Sequence, residues 1–234
     1  MAQNPGGHES TEDPPAREAL VRPLRRDAER NRQRILKAAA EVFTERGLDV
    51  SLDEVARHAG VGVGTVYRRF GTKEELVEAL FVDRIEDVAR LAEEAAEAPD
   101  PWSGLVCFME RSAELMAGDV GLRQMMMFAT YGGDKTWYAR QRNAPLVTRL
   151  VERAQAAGQV RSDLKPTDIP FIVFVLTEAA QFARRMSPEI WRRYLTLVID
   201  GLRPERQAVT PLPVPALLPE EFEMTVSQGA PWHR

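Results

Sequence analysis

Apolar residues along this chain recur three and four positions apart, the period of a helix with one buried face, and the alternation that marks a strand is almost absent. The first such run covers about Asp27 to Arg46, where Ile35, Leu36, Ala39, Val42 and Phe43 form a stripe that Gly47 ends. Leu52, Val55, Ala56 and Ala59 repeat the spacing over a short segment, and Val63, Val66 and Phe70 over a second. Ser51 with Glu54, and Thr72 with Glu75, have the separation of capping boxes, in which each side chain satisfies an orphan backbone N–H of the other. Gly60, between the two short segments, offers the positive φ at which helices commonly stop. From Lys73 the pattern predicts one long helix to about Ala98, with Leu76, Leu80, Ile85, Val88 and Leu91 inward and Pro99 and Pro101 as its stop. Further helices are expected at about 102–117, 120–130, 135–157 with a break near Pro145, 166–185 and 188–201. The fold class is therefore all-α, with about nine or ten helices.

The same pattern divides the chain. Residues 1–23, rich in proline, glycine and charge, read as a disordered arm. Residues 24–72 form a three-helix module, 73–203 a second helical domain, and 204–234 a proline-rich tail whose alternating Leu and Pro cannot be helical throughout.

Two helices as short as 52–59 and 63–70 are not stable alone. Joined by a glycine turn and packed on a longer neighbour, they are a helix-turn-helix, whose second helix enters the DNA major groove while flanking groups hold phosphates. The residues suit that task. Val63 and Gly64 offer a small apolar surface for a thymine methyl, Thr65 and Tyr67 hydroxyls, Arg68 and Arg69 cationic forks, and Lys73 a cation at the next helix start. Arg22, Arg25 and Arg26, where the arm ends, either follow the phosphate backbone or enter the minor groove, or belong to a solvated tail. Gly60, Gly62 and Gly64 do not make a nucleotide loop: Thr65 stands where the dinucleotide fingerprint needs glycine, no strand precedes them, and no lysine completes a Walker pattern.

A net charge of −4 at first argues against DNA, but its distribution reverses the conclusion. Arg22 to Lys73 holds twelve Arg or Lys against seven acids, a surplus of +5 that leaves −9 on the rest. A basic module on an acidic body is the asymmetry expected when one part alone meets phosphate. The chain is 44% hydrophobic and 28% charged, as soluble globular proteins are, and no apolar run reaches the ~18 residues of a membrane span, so no membrane partner is expected. The polar start, without the apolar stretch of a secretion signal, and the lone Cys107 point to the cytoplasm. An enzyme is not expected, since His8, His58 and His233 form no metal-ligand set and no Ser or Cys nucleophile stands near a base; neither a metal nor a cofactor is implied. Cys107, among Leu105, Val106 and Phe108, reads as core.

Met109, Met116, Met126, Phe128, Tyr131, Trp137 and Phe174 offer adaptable apolar surface for a small molecule, with ordinary core as the alternative. Glu178 falls on the same helical face as Phe171, Phe174, Val175 and Phe182. A carboxylate there must be paired, protonated or facing a cavity, so it either receives a cationic ligand group or pairs with an arginine across a dimer. Phe171, Val175 and Phe182 on one late helix, with Trp191, Tyr194, Leu195 and Val198 on the next, form the expected homodimer surface; folding back as core is the alternative.

Arg30-Asn-Arg-Gln-Arg-Ile-Leu-Lys-Ala-Ala-Ala-Glu-Val-Phe-Thr-Glu-Arg-Gly47, followed by Ser51 to Leu76, resembles the DNA-binding domain of TetR-family transcriptional regulators. The likeness covers about residues 27–80 through helix, helix-turn-helix, Tyr-x-x-Phe and Lys-Glu-Glu-Leu, and Gly158–Asp163 and Trp191–Pro204 also look typical. It implies an all-helical homodimer whose variable domain binds a small-molecule effector and whose two closing helices make a four-helix interface. It implies a double-stranded DNA operator, palindromic and released on effector binding, with the long helix from Lys73 as lever. By the same resemblance Ser51 and Lys73 hold phosphates, Thr65 and Tyr67 contact the backbone, and Arg68 and Arg69 reach a phosphate or guanine. Gly62, where a capping serine is common, and Val63, often polar, depart from the family pattern and move the expected specificity toward Arg68. A repressor is the expectation, with an activator of the same fold or a helical interaction protein that does not bind DNA as alternatives.

Overall fold

The computed structural model describes the backbone of residues 15–128, 131, 133–183, 189–204 and 218–220, and side chains in those stretches from residue 27 onward except at 179, 182 and 183. Among the described residues ten helices and no strand occur: α1 Pro15–Arg46, α2 Leu52–Ala59, α3 Val63–Phe70, α4 Lys73–Ala96, α5 Pro101–Ala117, α6 Val120–Met127, α7 Asp134–Gln141, α8 Asn143–Ala156, α9 Asp168–Ala183 and α10 Ile190–Leu202. The all-α expectation holds.

The first helix begins earlier than expected. Residues 15–23, read from sequence as part of a disordered arm, belong to α1, which at 32 residues is about 48 Å long. Pro15 sits at the helix start, where its missing N–H has no acceptor anyway, and Ala16 to Leu20 are strong helix formers. Pro23 removes one backbone hydrogen bond without ending the run. The break expected near Pro145 falls instead at Arg142, between α7 and α8. Pro145 lies in the first turn of α8, where backbone N–H groups lack helical partners.

Two apolar cores lie along the molecule. One gathers Ile35, Val42 and Phe43 of α1, Leu52 and Val55 of α2, Val66 and Phe70 of α3, and Leu76, Phe81 and Ile85 of α4, with Leu122 and Met125 of α6. The other holds Val88 to Ala96 of α4 with inward faces of α5, α8, α9 and α10. α4 thus runs through both. Close approach of α6 to the first core depends on Gly121: a Cβ there would stand 2.6 Å from Phe81 Cζ and 3.1 Å from the Phe43 carbonyl oxygen.

Cys107, Trp191 and Leu195 differ from their expected places. Cys107 is exposed, because α5 turns its Leu105, Phe108, Met109 and Ser112 side inward and leaves residue 107 on the other. Trp191 and Leu195, expected at a dimer surface, are each 2% exposed and belong to the second core. α10 uses that stripe against its own chain, leaving Tyr194 and Leu197 outward. Of the tail 204–234, only residues 204 and 218–220 are among those described.

Replacing Gly121 with valine should force α6 away from Phe81 and Phe43, with a loss of about 1–3 kcal/mol. A lowered thermal midpoint in calorimetry checks this; an unchanged midpoint means α6 can shift without loss.

Candidate nucleic-acid interface

The α2–α3 pair is defined by its ends. Ser51 is the N-cap of α2: its hydroxyl accepts from Glu54 N–H at 3.3 Å, and its own N–H donates to Glu54 Oε2 at 3.1 Å, the complete capping box the spacing implied. Arg46, at the end of α1, pairs with the other carboxylate oxygen of Glu54 at 2.6 Å. These hydrogen bonds, that to the Ser51 backbone foremost, lower the Glu54 pKa from 4.5 to about 2. α2 ends at Gly60 in the left-handed conformation, φ 64°, which places its N–H on the Ala56 and Arg57 carbonyls. At Thr72 half of the expected second box forms. The hydroxyl accepts from Glu75 N–H at 3.2 Å, but the Thr72 N–H donates to the Phe70 carbonyl at 2.7 Å and so is taken.

α3 is held by two side chains. Val66 and Phe70 are buried one turn apart in the core with α1, and the Arg32 guanidinium covers the Phe70 ring at 5.9 Å. Fixing those two residues sets the rotation of the helix and leaves Gly64, Tyr67 and Arg68 exposed on its other sides; Val63, on the same stripe as Val66 and Phe70, is exposed because it begins the helix. Tyr67 is 51% exposed despite its aromatic ring. Thr65 is half-buried, and Arg68 Nη2 reaches its hydroxyl at 3.5 Å. Gly62 caps α3 without a side-chain hydrogen bond, and its carbonyl accepts from the Thr65 N–H at 2.8 Å. Lys73 is half-buried at the start of α4; burial lowers its pKa, against the opposing pull of Asp49, Glu74 and Glu54.

The cations of this region divide into two sets. Arg69 pairs with Glu29 of α1 at 3.3 Å, and Arg34 Nη2 donates to the Ala59 carbonyl at 3.0 Å and that of Gly60 at 3.4 Å. Arg34, which sequence reasoning missed, thus sits at the negative end of α2. These two tie α1 to the helix-turn-helix. Arg68 extends from the outward face instead. Arg25 and Arg26 lie within α1, and their side chains are outside the described residues.

With this geometry in view, comparison with known proteins identifies the family. Residues 35–80 match the model of the bacterial regulatory proteins of the tetR family, and residues 100–204 match that of the SbtR-like transcriptional regulator C-terminal domain. A crystallised TetR transcription regulatory protein from Mycobacterium vanbaalenii is 34% identical over 77% of this chain and 99% of that one, with a TM-score of 0.46. The chain belongs to the TetR family. The HTH-type transcriptional regulator SrpR of Pseudomonas putida is 44% identical over 66 residues, 28% of this chain. The chain spans only 31% of SrpR's length. The ketosteroid regulator KstR2 of Mycobacterium tuberculosis shares the fold, with 22% identity over 75% of this chain and 96% of that one and a TM-score of 0.53.

The structure brings some of the ligand and dimer residues expected of this TetR-family chain together and separates others: Phe128, Tyr131, Phe171 and Phe174 share one cluster, while Met109 and Met116 lie in the second core. Met109, Met116 and Phe128 are buried, and Met126, Tyr131 and Phe174 half-buried. Phe128 and Phe174 meet edge to face at 5.7 Å. Tyr131 donates to Asp49 Oδ1 at 2.6 Å, which joins it to the loop before α2. Trp137 does not join the group: it is 45% exposed on α7, against Tyr138. Its helix turns Thr136 and Ala139 inward instead. Glu178 pairs within its own chain, with Arg123 of α6 at 2.6 Å, rather than across a dimer. Val175 is exposed, Phe171 and Val198 are half-buried, and the Phe182 side chain lies outside the described residues. Arg123 was missed, although a lone charge among Leu122, Met125, Met126 and Met127 is a signal that it needs a partner.

Because Glu54 has its pKa lowered, its carboxylate stabilises the fold fully above about 4.5, and that contribution fades as pH falls toward 2. Over that interval the wild-type protein should lose more stability than Glu54→Gln, measured as the shift in denaturant midpoint. Equal shifts would show that the capping box leaves no imprint on acid unfolding.

Proposed function

We propose that this TetR-family protein is a DNA-binding transcriptional regulator that acts as a repressor, binding a palindromic operator as a homodimer and releasing it when a small molecule occupies the body formed by α4 to α10. The observation that carries the DNA reading is the exposed surface of α3: Gly64, Tyr67 and Arg68 stand outward, with Val63 open at the helix start, on a helix whose rotation is fixed by buried Val66 and Phe70. A rigid short helix with an aromatic hydroxyl, a guanidinium and a small apolar start fits a major groove. Ser51, Thr65, Arg69 and Lys73 flank it as phosphate contacts, with Arg69 shared with Glu29, and Arg25 and Arg26 are assigned to the same role from the sequence.

The homodimer reading rests on α9 and α10. Val175 is 60% exposed, and Tyr194 and Leu197 are also open to solvent, with half-buried Phe171 and Val198 beside them. Large apolar side chains left outward on neighbouring helices favour association. Two copies joined there would set their α3 helices about 34–36 Å apart for adjacent major grooves. An effector lowers operator affinity only if it binds the released arrangement more tightly than the bound one.

Selection of duplexes from random DNA with the purified protein should return an inverted repeat. On that sequence Arg68→Ala should weaken binding by about 1–3 kcal/mol, and Tyr67→Ala should also weaken it. Arg69→Ala should cost less, because Glu29 already engages that guanidinium. A titration over salt concentration measures these effects together with the number of phosphates neutralised. Full affinity in Arg68→Ala at every salt concentration would show that this face of α3 does not meet the groove.

A further inference from the structure

Arg123 is a charged side chain with 1% exposure. Its Nε donates to Glu178 Oε1 at 2.6 Å and its Nη1 to the Met116 carbonyl at 3.1 Å. Removing a guanidinium from water costs several kcal/mol unless an anion comes with it, and Glu178 is that anion. The pair is unequal, however. The Glu178 side chain is 47% exposed, so water can solvate it again at once if it swings away, whereas Arg123 has no route to solvent.

This pair lies at one end of a seam between α6 and α9, with an apolar cluster at the other. Met127 and Phe128 are buried there, with Phe171, Phe174 and Tyr131 packed against them, in a small cluster that Tyr131 joins to the first core. Phe174 is one helical turn from Glu178, and Phe128 follows α6 directly. A small cluster closed by an ion pair with one solvated member opens at lower cost than either main core.

We propose that the α6–α9 seam is the effector site of the regulator and that it takes an amphipathic monocarboxylate. The ligand's carboxylate replaces Glu178 on Arg123, and its apolar body takes the place of the Phe128–Phe174 contact. Charge decides between ligand classes. An organic cation drawn to Glu178 would have to strip it from Arg123 and leave a buried guanidinium bare. An anion leaves Arg123 paired and sends Glu178 into water. The next residue ties the seam to the DNA-binding end: Gln124 is 4% exposed, and its Oε1 accepts from the Leu48 N–H at 2.6 Å. Displacing α6 therefore shifts the loop that leads to Ser51 and α2.

The assignment deepens the reading as an effector-controlled regulator, and its test is separate from the DNA selection. Calorimetric titration of the full chain with decanoate, decanol and decyltrimethylammonium supplies the probes. Decanoate should bind, with decanol and the ammonium much weaker. In Glu178→Gln, where a neutral amide competes less well for Arg123, decanoate should bind roughly tenfold tighter. Phe174→Ala should weaken decanoate without any change in charge, and it serves as the second variant if the glutamine one does not fold. Equal decanoate affinity in wild type and Glu178→Gln, no binding of decanoate, or ammonium binding that is lost in Glu178→Gln overturns the assignment. A protein that takes no decanoate yet selects an inverted repeat leaves the DNA reading standing. One that takes decanoate and selects no repeat sinks that reading instead.

Discussion

Leu48 lies where α1 has ended and α2 has not begun, so its backbone N–H has no helical acceptor, and the residue is fully buried. A buried N–H without a partner carries a penalty comparable to a lost hydrogen bond. Gln124, 76 positions along the chain, supplies the acceptor from inside the fold. The loop that sets where Ser51 begins α2 is therefore positioned by α6, and with Tyr131 bonded to Asp49 it is held from the same side twice. The angle of the helix-turn-helix against the body follows from this seat, because two eight-residue helices have little stability of their own.

The outward surface of α3 depends on that seat and on a division of labour among cations. Arg32, Arg34, Arg46 and Arg69 each have a protein partner that locks α1, α2 and α3 together: the Phe70 ring, the Ala59 and Gly60 carbonyls, Glu54 and Glu29. Most of these contacts are exposed, where single ion pairs contribute about 0–1 kcal/mol. Their value lies in orientation. The strong terms are apolar, Val66 and Phe70 above all, and they leave Tyr67 and Arg68 outward as a consequence of helical geometry.

α4 joins the two ends differently. Its first half closes the core around α1 to α3 and its second half the core of the body, so the helix is a continuous strut with no joint of its own. The more yielding connection is α6, eight residues long, whose neighbours Arg123 and Gln124 reach in opposite senses, one to Glu178 of α9 and one to the loop before α2. Beside α4 there is thus a shorter link, in which these polar contacts add to the packing of Leu122 and Met125 in the first core.

How far the sequence reached depended on whether the cause of a feature was local. The helix-turn-helix was legible because caps, the Gly60 turn and the three-to-four spacing of apolar residues act within a few positions: Ser51, Glu54, Val66 and Phe70 are where pattern alone placed them. The all-helical class followed from the same periodicity. What periodicity cannot tell is which apolar stripe meets the chain's own body. Trp191 and Leu195 turned inward while Tyr194 and Leu197 of the same helix turned out, and Cys107 came to the surface amid apolar neighbours. The polar links were beyond reach for a related reason. Arg123 with Glu178, Gln124 with Leu48, Arg69 with Glu29 and Tyr131 with Asp49 join residues 40 to 82 positions apart, and no short-range rule selects one such partner among many. The sequence by itself determined the helices and the face that α3 turns outward. Only tertiary packing decided how those helices are bolted together, because a buried charge or backbone N–H takes whichever partner the fold carries to it.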